Sequence, residues 1–349
     1  MVAKRAWAAI MMSSSPRDHG NSNDGYLVRS YRDADQAGVL RLLELGFEAW
    51  PGKRLAVDPV EHLEWKMASF PGLTEHHVVV ECEDEIVGFR LAIVQSVLAG
   101  GRELLLHQGA DSVIHPDHRG RNLMVRIKAY EAEVSGVAFD LRLMGQSANP
   151  AMTHMRDRIG YPRFANRIEV LRCVRSDRPR DASAKMTREV ALIDDRVDAL
   201  WRSAGREFTF GVVRTAKYLN WRYCDSRAGG FVVRVAERGD TMLGCEVLCT
   251  RGNTGYIADL FVLPGREDVL RALLDEAFDH FAGTAVHTVE CWIAETHPYR
   301  DALLASGFLR KKRLRAFGYM PLRTPVAELA FLGKEDAIIH LMAGDVDWI

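Results

Sequence analysis

ELLLHQGADSVIHPDHRGRNLMVRIKAYEAEV, residues 103–134, is the stretch on which the fold turns. It opens as an apolar strand and stops at Pro116, which has no N–H to give to a strand partner. A basic, glycine-containing turn from Asp117 to Asn122 follows, and it opens a helix from Leu123 to Val134. A strand that ends in such a turn and restarts as a helix gathers several backbone N–H groups and the positive end of the helix dipole at one point. Gly120 lets a ligand approach the main chain, while Arg119 and Arg121 add charge. The turn therefore suits an anion with several oxygens, such as a pyrophosphate, better than a carboxylate.

Upstream, VRSYR from Val28 reads as a strand. DADQAGVLRLLELGF reads as a helix that Asp33 can cap, with Val39, Leu42, Leu43 and Phe47 at helical spacing. A second helix is expected from Pro59 to Ser69, then a hairpin of HVVVEC and IVGFRLAIV across an acidic turn. Downstream, FDLRLMG is a strand, Asn149 to Ile159 a helix that Gly160 stops, and IEVLRCV another strand. Residues 175–185, RSDRPRDASAK, carry charge, Pro and Ser with almost no apolar content, which places a linker at 176–188. At the front, Ala6 to Met12 is too short to span a bilayer and lacks a signal-peptide cleavage site. Residues 13–25 are polar, so 1–25 read as a disordered leader.

Beyond the linker the chain repeats itself. His62-Leu63-Glu64-Trp65-Lys66 matches Tyr218-Leu219-Asn220-Trp221-Arg222, and each tryptophan stands 23 residues ahead of a hairpin glycine, Gly88 or Gly244. Pro116 precedes Gly160-Tyr161 by 44 residues, and Pro264 precedes Gly307-Phe308 by 43. Four anchors in register indicate two copies of one α+β unit. The expected layout is a unit at 26–175, the linker at 176–188, a degenerate copy at 189–325 and a tail at 326–349. The second copy has LPGRED where the first has the basic turn, so the anion site belongs to the first.

Composition excludes some partners. The chain has 349 residues, room for about two domains at ~150 residues each. Its 46 basic and 47 acidic residues leave a net charge of −1, which disfavours a nucleic acid or an anionic membrane as the main partner. The six cysteines form no CxxC pair and have no histidine at zinc-ligand spacing, so no metal is expected. Cys245 and Cys249 fall in an apolar run and read as buried strand residues in a reducing, cytoplasmic setting.

The strand, Ile114-His115-Pro116 and Arg119 together resemble the start of the signature of the GNAT superfamily of acyl-CoA-dependent N-acyltransferases. That signature runs Arg or Gln, two residues, Gly, one residue, then Gly or Ala. Here its two small positions are Asn122 and Met124. Asparagine tolerates left-handed backbone geometry, whereas Met124 adds bulk where the family keeps its backbone bare. A second cue, Asn followed eleven residues later by Gly and an aromatic, fits Asn149 and Gly160-Tyr161; the tyrosine that relatives carry between them is replaced by Arg156. Arg156 could stabilise a thiolate electrostatically but is no proton donor.

The resemblance implies two GNAT-like units in tandem, each a mixed, mostly antiparallel sheet flanked by helices. It also implies direct attack of an amine on a thioester. Acyl-CoA would be held by Ser112, Val113 and Ile114 of the strand, by the turn residues Arg119, Gly120, Arg121, Asn122, Leu123 and Met124, and by Asn149. The family's base positions fall on Ala110 and Gln108, which cannot serve. That leaves His107, Asp111 and His154, or a water chain, to take the amine's proton. Phe47 and Trp50 lie where the family walls its acceptor site; Trp65 reads as core because Trp221 repeats it. Met144, Met152 and Met155 could line an apolar acyl tunnel or be core. The amine is expected to belong to a small molecule, with acylation of an amino sugar on a lipoglycopeptide antibiotic as the specific expectation. An aminoglycoside-type or mycothiol-synthase-like acetyltransferase and a non-catalytic acyl-CoA sensor stay open beside it.

Overall fold

The computed structural model describes residues 24–47, 50–51, 55–69, 76–135, 138–144, 162–174, 186–315 and 317–346. The expected leader up to residue 23, Phe70, the helix expected at Asn149 to Ile159, most of the linker and the last three residues lie outside them. The chain divides into two compact units. The first comprises Met1–Gln95, Leu104–Arg163 and Gly318–Glu328, and the second Ser96–Glu103, Phe164–Phe317 and Leu329–Ile349.

The first unit is built from β1 (Tyr26–Ser30), α1 (Gln36–Phe47), α2 (Pro59–Met67), β2 (Val78–Cys82), β3 (Glu85–Ala99), β4 (Arg102–Ile114), α3 (Leu123–Ser135) and β5 (Leu141–Met144), except that the adjoining ends of β3 and β4, within Ser96–Glu103, fall in the second unit. The second contains β6 (Ile168–Val174), β7 (Thr187–Val190), α4 (Arg196–Ala204), β8 (Phe210–Val212), β9 (Phe231–Arg238), β10 (Thr241–Arg251), β11 (Thr254–Val262), α5 (Glu267–Ala282), β12 (Thr288–Ala294), β13 (Leu309–Arg315) and, after β14 (Gly318–Pro321), β15 (Ile339–His340). The first sheet runs β1-β2-β3-β4-β5-β14, with β4 and β5 parallel. The second runs β13-β6-β12-β11-β10-β9-β7, with β11 and β12 parallel. Both sheets are thus mixed and mostly antiparallel, with helices between their strands, as the sequence leads one to expect.

Local chemistry sets the helices. Asp58 caps α2 by accepting from the amides of Val60 and Glu61, and Pro59 takes the first helical position, where a missing N–H costs nothing. Asp33, expected to cap α1, instead opens a 3-10 turn through Asp35. Asp35 accepts the Arg32 amide at 2.7 Å and a two-pronged pair from Arg29, so the helix starts later, at Gln36. Val39, Leu42 and Leu43 are buried on one face of α1, while Phe47, expected on that face, is 43% exposed.

The hairpins of the two units share their register residue for residue. Val78 pairs with Arg90, Val79 with Phe89 and Val80 with Gly88; then Val87 is skipped. In the second unit Arg234 pairs with Glu246, Val235 with Cys245 and Ala236 with Gly244, and Leu243 is skipped at the same place. The glycine is required in both. A Cβ on Gly88 would stand 2.8 Å from Val80, and one on Gly244 2.9 Å from Leu273.

Ile168–Val174 lies ahead of the expected linker, yet it pairs with β12 of the second sheet. Conversely, β14 comes from the end of the expected second copy and pairs with β5 of the first sheet. Each sheet therefore recruits a strand from the other half of the sequence, β14 at the edge of the first and β6 between β13 and β12 in the second. Cys245 and Cys249 are buried free thiols in β10, as expected. Among the described residues no helix is long and apolar enough to cross a membrane.

Candidate functional site

The register of β4 with β5 covers Leu106 to Gln108, and β4 runs on for six residues to Ile114. Within that extension the alternation of the strand breaks at Asp111, which adopts φ +41°, a left-handed conformation rare for a non-glycine residue. The bulge turns the Asp111 carboxylate toward α2, where the ammonium of Lys66 meets it at 2.8 Å. Both side chains are nearly enclosed, at 8% and 11% exposure. On the next residues, Ser112 accepts a hydrogen bond from Arg90, and Val113 packs so closely on α1 that a Cβ at Gly46 would stand 2.2 Å from it.

After Pro116–His118, a single 3-10 turn, the chain passes through Gly120 at φ +78° and Asn122 at φ +58° before α3 begins. Asn122 thus supplies the left-handed geometry that a signature glycine would. The Arg119 amide is used by the Pro116 carbonyl. Among the described residues, the amides of Gly120, Arg121, Asn122, Leu123 and Met124 have no acceptor, and Asn122 accepts the first helical bond from Arg126. No acidic residue stands in the first turn of α3. Met124 packs against the cluster of Val28, Val80, Leu123 and Ile127, so its bulk goes into the core and leaves the turn bare. The side chains of Arg119 and Arg121 are exposed, and Arg121 lies 5.8 Å from the centre of the Tyr26 ring.

Behind β4 lies a buried charge cluster that the sequence reading did not find. Glu131 of α3 is fully enclosed and receives Arg90 at 2.8 Å, His107 at 3.2 Å and Arg142 at 3.3 Å. Burial pulls the Glu131 carboxyl upward, but Arg142 and Arg90 outweigh it and hold it well below the usual carboxylate range. His107 accepts from Arg142 through Nδ1, so its Nε2 carries the proton toward Glu131. Burial pushes its pKa down to about 4, against the pull of Glu131. The guanidinium of Arg90 crosses β4 over Gly109, where a Cβ would sit 1.8 Å from it. A glycine inside a strand is the one trace of this crossing in the sequence.

The second unit carries the same layout with the opposite occupancy. Asp259 stands five residues before Pro264, as Asp111 does before Pro116. The β10–β11 register slips beside it, between Val247 and Leu248. Asp259 is wholly enclosed: Arg214 donates to both its oxygens at 3.2 and 3.3 Å, and Tyr223 donates to Oδ2 at 3.2 Å. The pairing of β11 with β12 stops at Ile257 and Cys291, and the chain's own C-terminal segment packs beside that stretch of β11. Arg214 also binds Asp345, Arg222 donates to the Gly344 carbonyl, and a Cβ on Gly344 would stand 2.2 Å from the Tyr223 hydroxyl and 2.9 Å from the Ala258 carbonyl. The helix start that corresponds to the turn bears Glu267 and Asp268 in its first turn, with Arg266 bonded to Asp268 at 2.7 Å. An anion would meet two carboxylates there.

Of the residues singled out in the sequence, Asp111, Ser112, Val113, Ile114 and the turn from Arg119 to Met124 lie consecutively along the end of β4 and the start of α3. His107 sits on the same strand inside the Glu131 cluster. Trp50 is 6% exposed, with its ring edge-on to His62 and 6.0 Å from the Lys66 ammonium. Asn149, His154, Arg156, Met152 and Met155 lie outside the described residues. Lys66 was missed as a partner of Asp111, although its place in the repeated motif, opposite Arg222, was on view. Among the described residues no group of His, Cys, Asp and Glu could hold a metal ion.

No protein-family model matches the sequence, and no curated protein resembles it. Solved structures do. A GCN5-related N-acetyltransferase from Anabaena variabilis is similar at TM-score 0.65 and 13% identity, over 87% of this chain and 74% of that one. A GCN5-related N-acetyltransferase from Kribbella flavida is similar at TM-score 0.60 and 15% identity, over 87% and 73%. The N-myristoyltransferase of Saccharomyces cerevisiae, solved with bound myristoyl-CoA and inhibitors, is similar at TM-score 0.60 and 12% identity, over 88% and 83%. At such identities the likeness is one of architecture, and this chain has the fold of the GCN5-related and myristoyl N-acyltransferases through both of its units.

Proposed function

We propose that the protein transfers an acyl group from acyl-CoA to a primary amine of a small molecule, using the first unit alone. The run of unengaged amides from Gly120 to Met124, at the start of a helix with no acid in its first turn, carries the reading. Five successive donors in a left-handed turn fit the oxygens of a diphosphate, and Arg119 and Arg121 add charge from outside. Ser112, Val113 and Ile114 would offer main-chain groups to the pantetheine arm and the thioester carbonyl, and the resemblance adds Asn149 to the acyl-CoA contacts.

Attack by the amine nitrogen forms the C–N bond, and the C–S electrons leave with the CoA sulfur. The amine's proton must go to a nearby base. Asp111 suits that role better than His107, because His107 is sealed within the Glu131 cluster while Asp111 keeps 11% exposure. His154 is the further candidate. Phe47, at the exposed end of α1, and Trp50, against α2, would stand on the acceptor side.

The finer reading, a long acyl chain placed on an amino sugar of a glycopeptide, draws support from the myristoyl-CoA held by one structural neighbour. Acetyl transfer to an aminoglycoside-type or mycothiol-type amine is the competing version, and the acetyltransferases of the same fold support it.

Thiol release with acyl-CoA and a panel of amino sugars tests the whole. An enzyme frees CoA in proportion to amine; a sensor is only stabilised by the ligand. Eight- to twelve-carbon acyl-CoAs outcompeting acetyl-CoA would support the long-chain version, and equal or better use of acetyl-CoA would end it. Arg119→Ala is expected to weaken CoA binding about tenfold, the worth of one charge-assisted contact.

A further inference from the structure

The pairing of Lys66 with Asp111 has no counterpart in the signature of the turn, and its geometry is unusual for a structural ion pair. Asp111 occupies a left-handed bulge in the middle of a sheet strand, a conformation that costs about 1–3 kcal/mol and that a packed strand has no need of. The bulge presents the carboxylate to a lysine from another element, 2.8 Å away, in a place where both are nearly enclosed. Enclosure keeps their interaction strong, since water does not screen it.

We infer that Lys66 is a positioning residue that holds Asp111 ionised and aimed for proton abstraction from the acceptor amine. The inference rests on the acyltransferase reading and on Asp111 as its base. On the elements of the pair and on neighbouring β3, His62 stands edge-on to Trp50, and Arg90 and His107 are both directed into the Glu131 cluster. Lys66 contacts Asp111 directly.

Its role in the step is electrostatic and its own proton stays in place. The amine's lone pair forms the C–N bond as the C–S pair departs with sulfur, and the amine's proton passes to an Asp111 oxygen. That proton leaves later to the CoA thiolate or to solvent, returning Asp111 to the carboxylate. An opposite charge at contact distance lowers a carboxyl pKa by about 1–3 units. Activity therefore rises with pH through the Asp111 ionisation, and removing the Lys66 charge is expected to move that rise upward.

The test measures the pH profile of thiol release by wild type, Lys66→Met and Lys66→Arg. Lys66→Met is expected to move the acid limb upward by about 1–2 units, while Lys66→Arg leaves the limb in place. Lys66→Met is also expected to lower turnover several-fold near pH 4 and hardly at all at pH 8. An unmoved limb in a folded Lys66→Met protein overturns the inference and leaves the acyltransferase standing. Absence of thiol release from wild type with every amine tried instead removes the reading beneath it. Should Lys66→Met not fold, the Asp111 carboxyl is titrated by carbon NMR in wild type, with Asp111→Asn supplying the assignment. A midpoint below the ordinary ~3.9 supports the role of Lys66, and one at or above it rejects the role.

Discussion

The two units place an aspartate at the same point, five residues before the proline that ends a central strand, and treat it in opposite ways. In the first, Asp111 meets Lys66 and keeps a little exposure, and the amides from Gly120 to Met124 at the following helix start have no acceptor among the described residues. In the second, Asp259 is held by Arg214 and Tyr223 in full enclosure, Asp345 shares the arginine, and the helix start carries its own carboxylates. On the proposed reading one layout has two uses: a carboxylate beside the turn from Gly120 to Met124 serves chemistry, and the corresponding one beside the chain's own C-terminal segment serves as a fastener.

The largest effect that could break this contrast is at the fastener. Asp259→Asn leaves the buried Arg214 short of a counter-charge and is expected to cost about 3–5 kcal/mol of stability, read by urea denaturation. Asp111→Asn should cost less than half of that, yet lower the rate of thiol release about a hundredfold or more. If the two substitutions unfold the protein equally, or if Asp111→Asn leaves the rate intact, the assignment of chemistry to one copy and anchorage to the other is lost.

A smaller effect sharpens the contrast between the strands. Where the first unit has Arg90 the second has Glu246, at the same hairpin position, and where the first has Gly109 the second has Ile257. The long guanidinium needs the gap; the shorter carboxyl does not. Gly109→Ala sets a methyl against Arg90 and is expected to cost about 1–3 kcal/mol and to raise the KM for acyl-CoA several-fold, because Arg90 also holds Ser112. A calorimetric midpoint within a degree of wild type would show that the crossing is loose.

How much of this could be read in the sequence follows from how local each feature is. The strand–turn–helix layout and its left-handed turn were legible because strand end, proline, glycine, asparagine and helix start are contiguous, and Asn122 has the geometry its residue type permits. The repeat was legible because Gly88 and Gly244 have no room for a side chain and so recur in register. The exchange of strands was not, since Ile168–Val174 is an apolar strand whose composition does not name its partner. Nor was the Glu131 cluster, whose members Arg90, His107, Glu131 and Arg142 sit on four different elements and look like ordinary solvated charges one by one. Asp111 was singled out only as one titratable group near a strand end; the lysine that gives it meaning comes from a helix far upstream.

The gentlest probe is acid. In the first unit His77 and His107 are buried and pushed down to about 4, so they are neutral in the folded protein, whereas unfolded histidines take up protons near 6.5. Between those values the unfolded state binds more protons, and stability contributed by these residues is present above pH 6.5 and lost as pH falls toward 4. The second unit has its own pair, His340 and His297, pushed down by burial. It also has two carboxyls of opposite sign: burial raises Asp345 and Glu246, so their folded forms take up protons first and stability grows as pH falls through their folded pKa values. In the first unit Glu131 is depressed instead and adds to the loss once pH falls below about 4.5. Acidification from pH 7 to 4.5 should therefore loosen the first unit ahead of the second, by a difference on the order of 1 kcal/mol. Amide hydrogen exchange resolved by segment measures it: protection in β2–β4 should decline at a higher pH than protection in β10–β12, and simultaneous decline would mean that the carboxyls of the second unit do not offset its histidines.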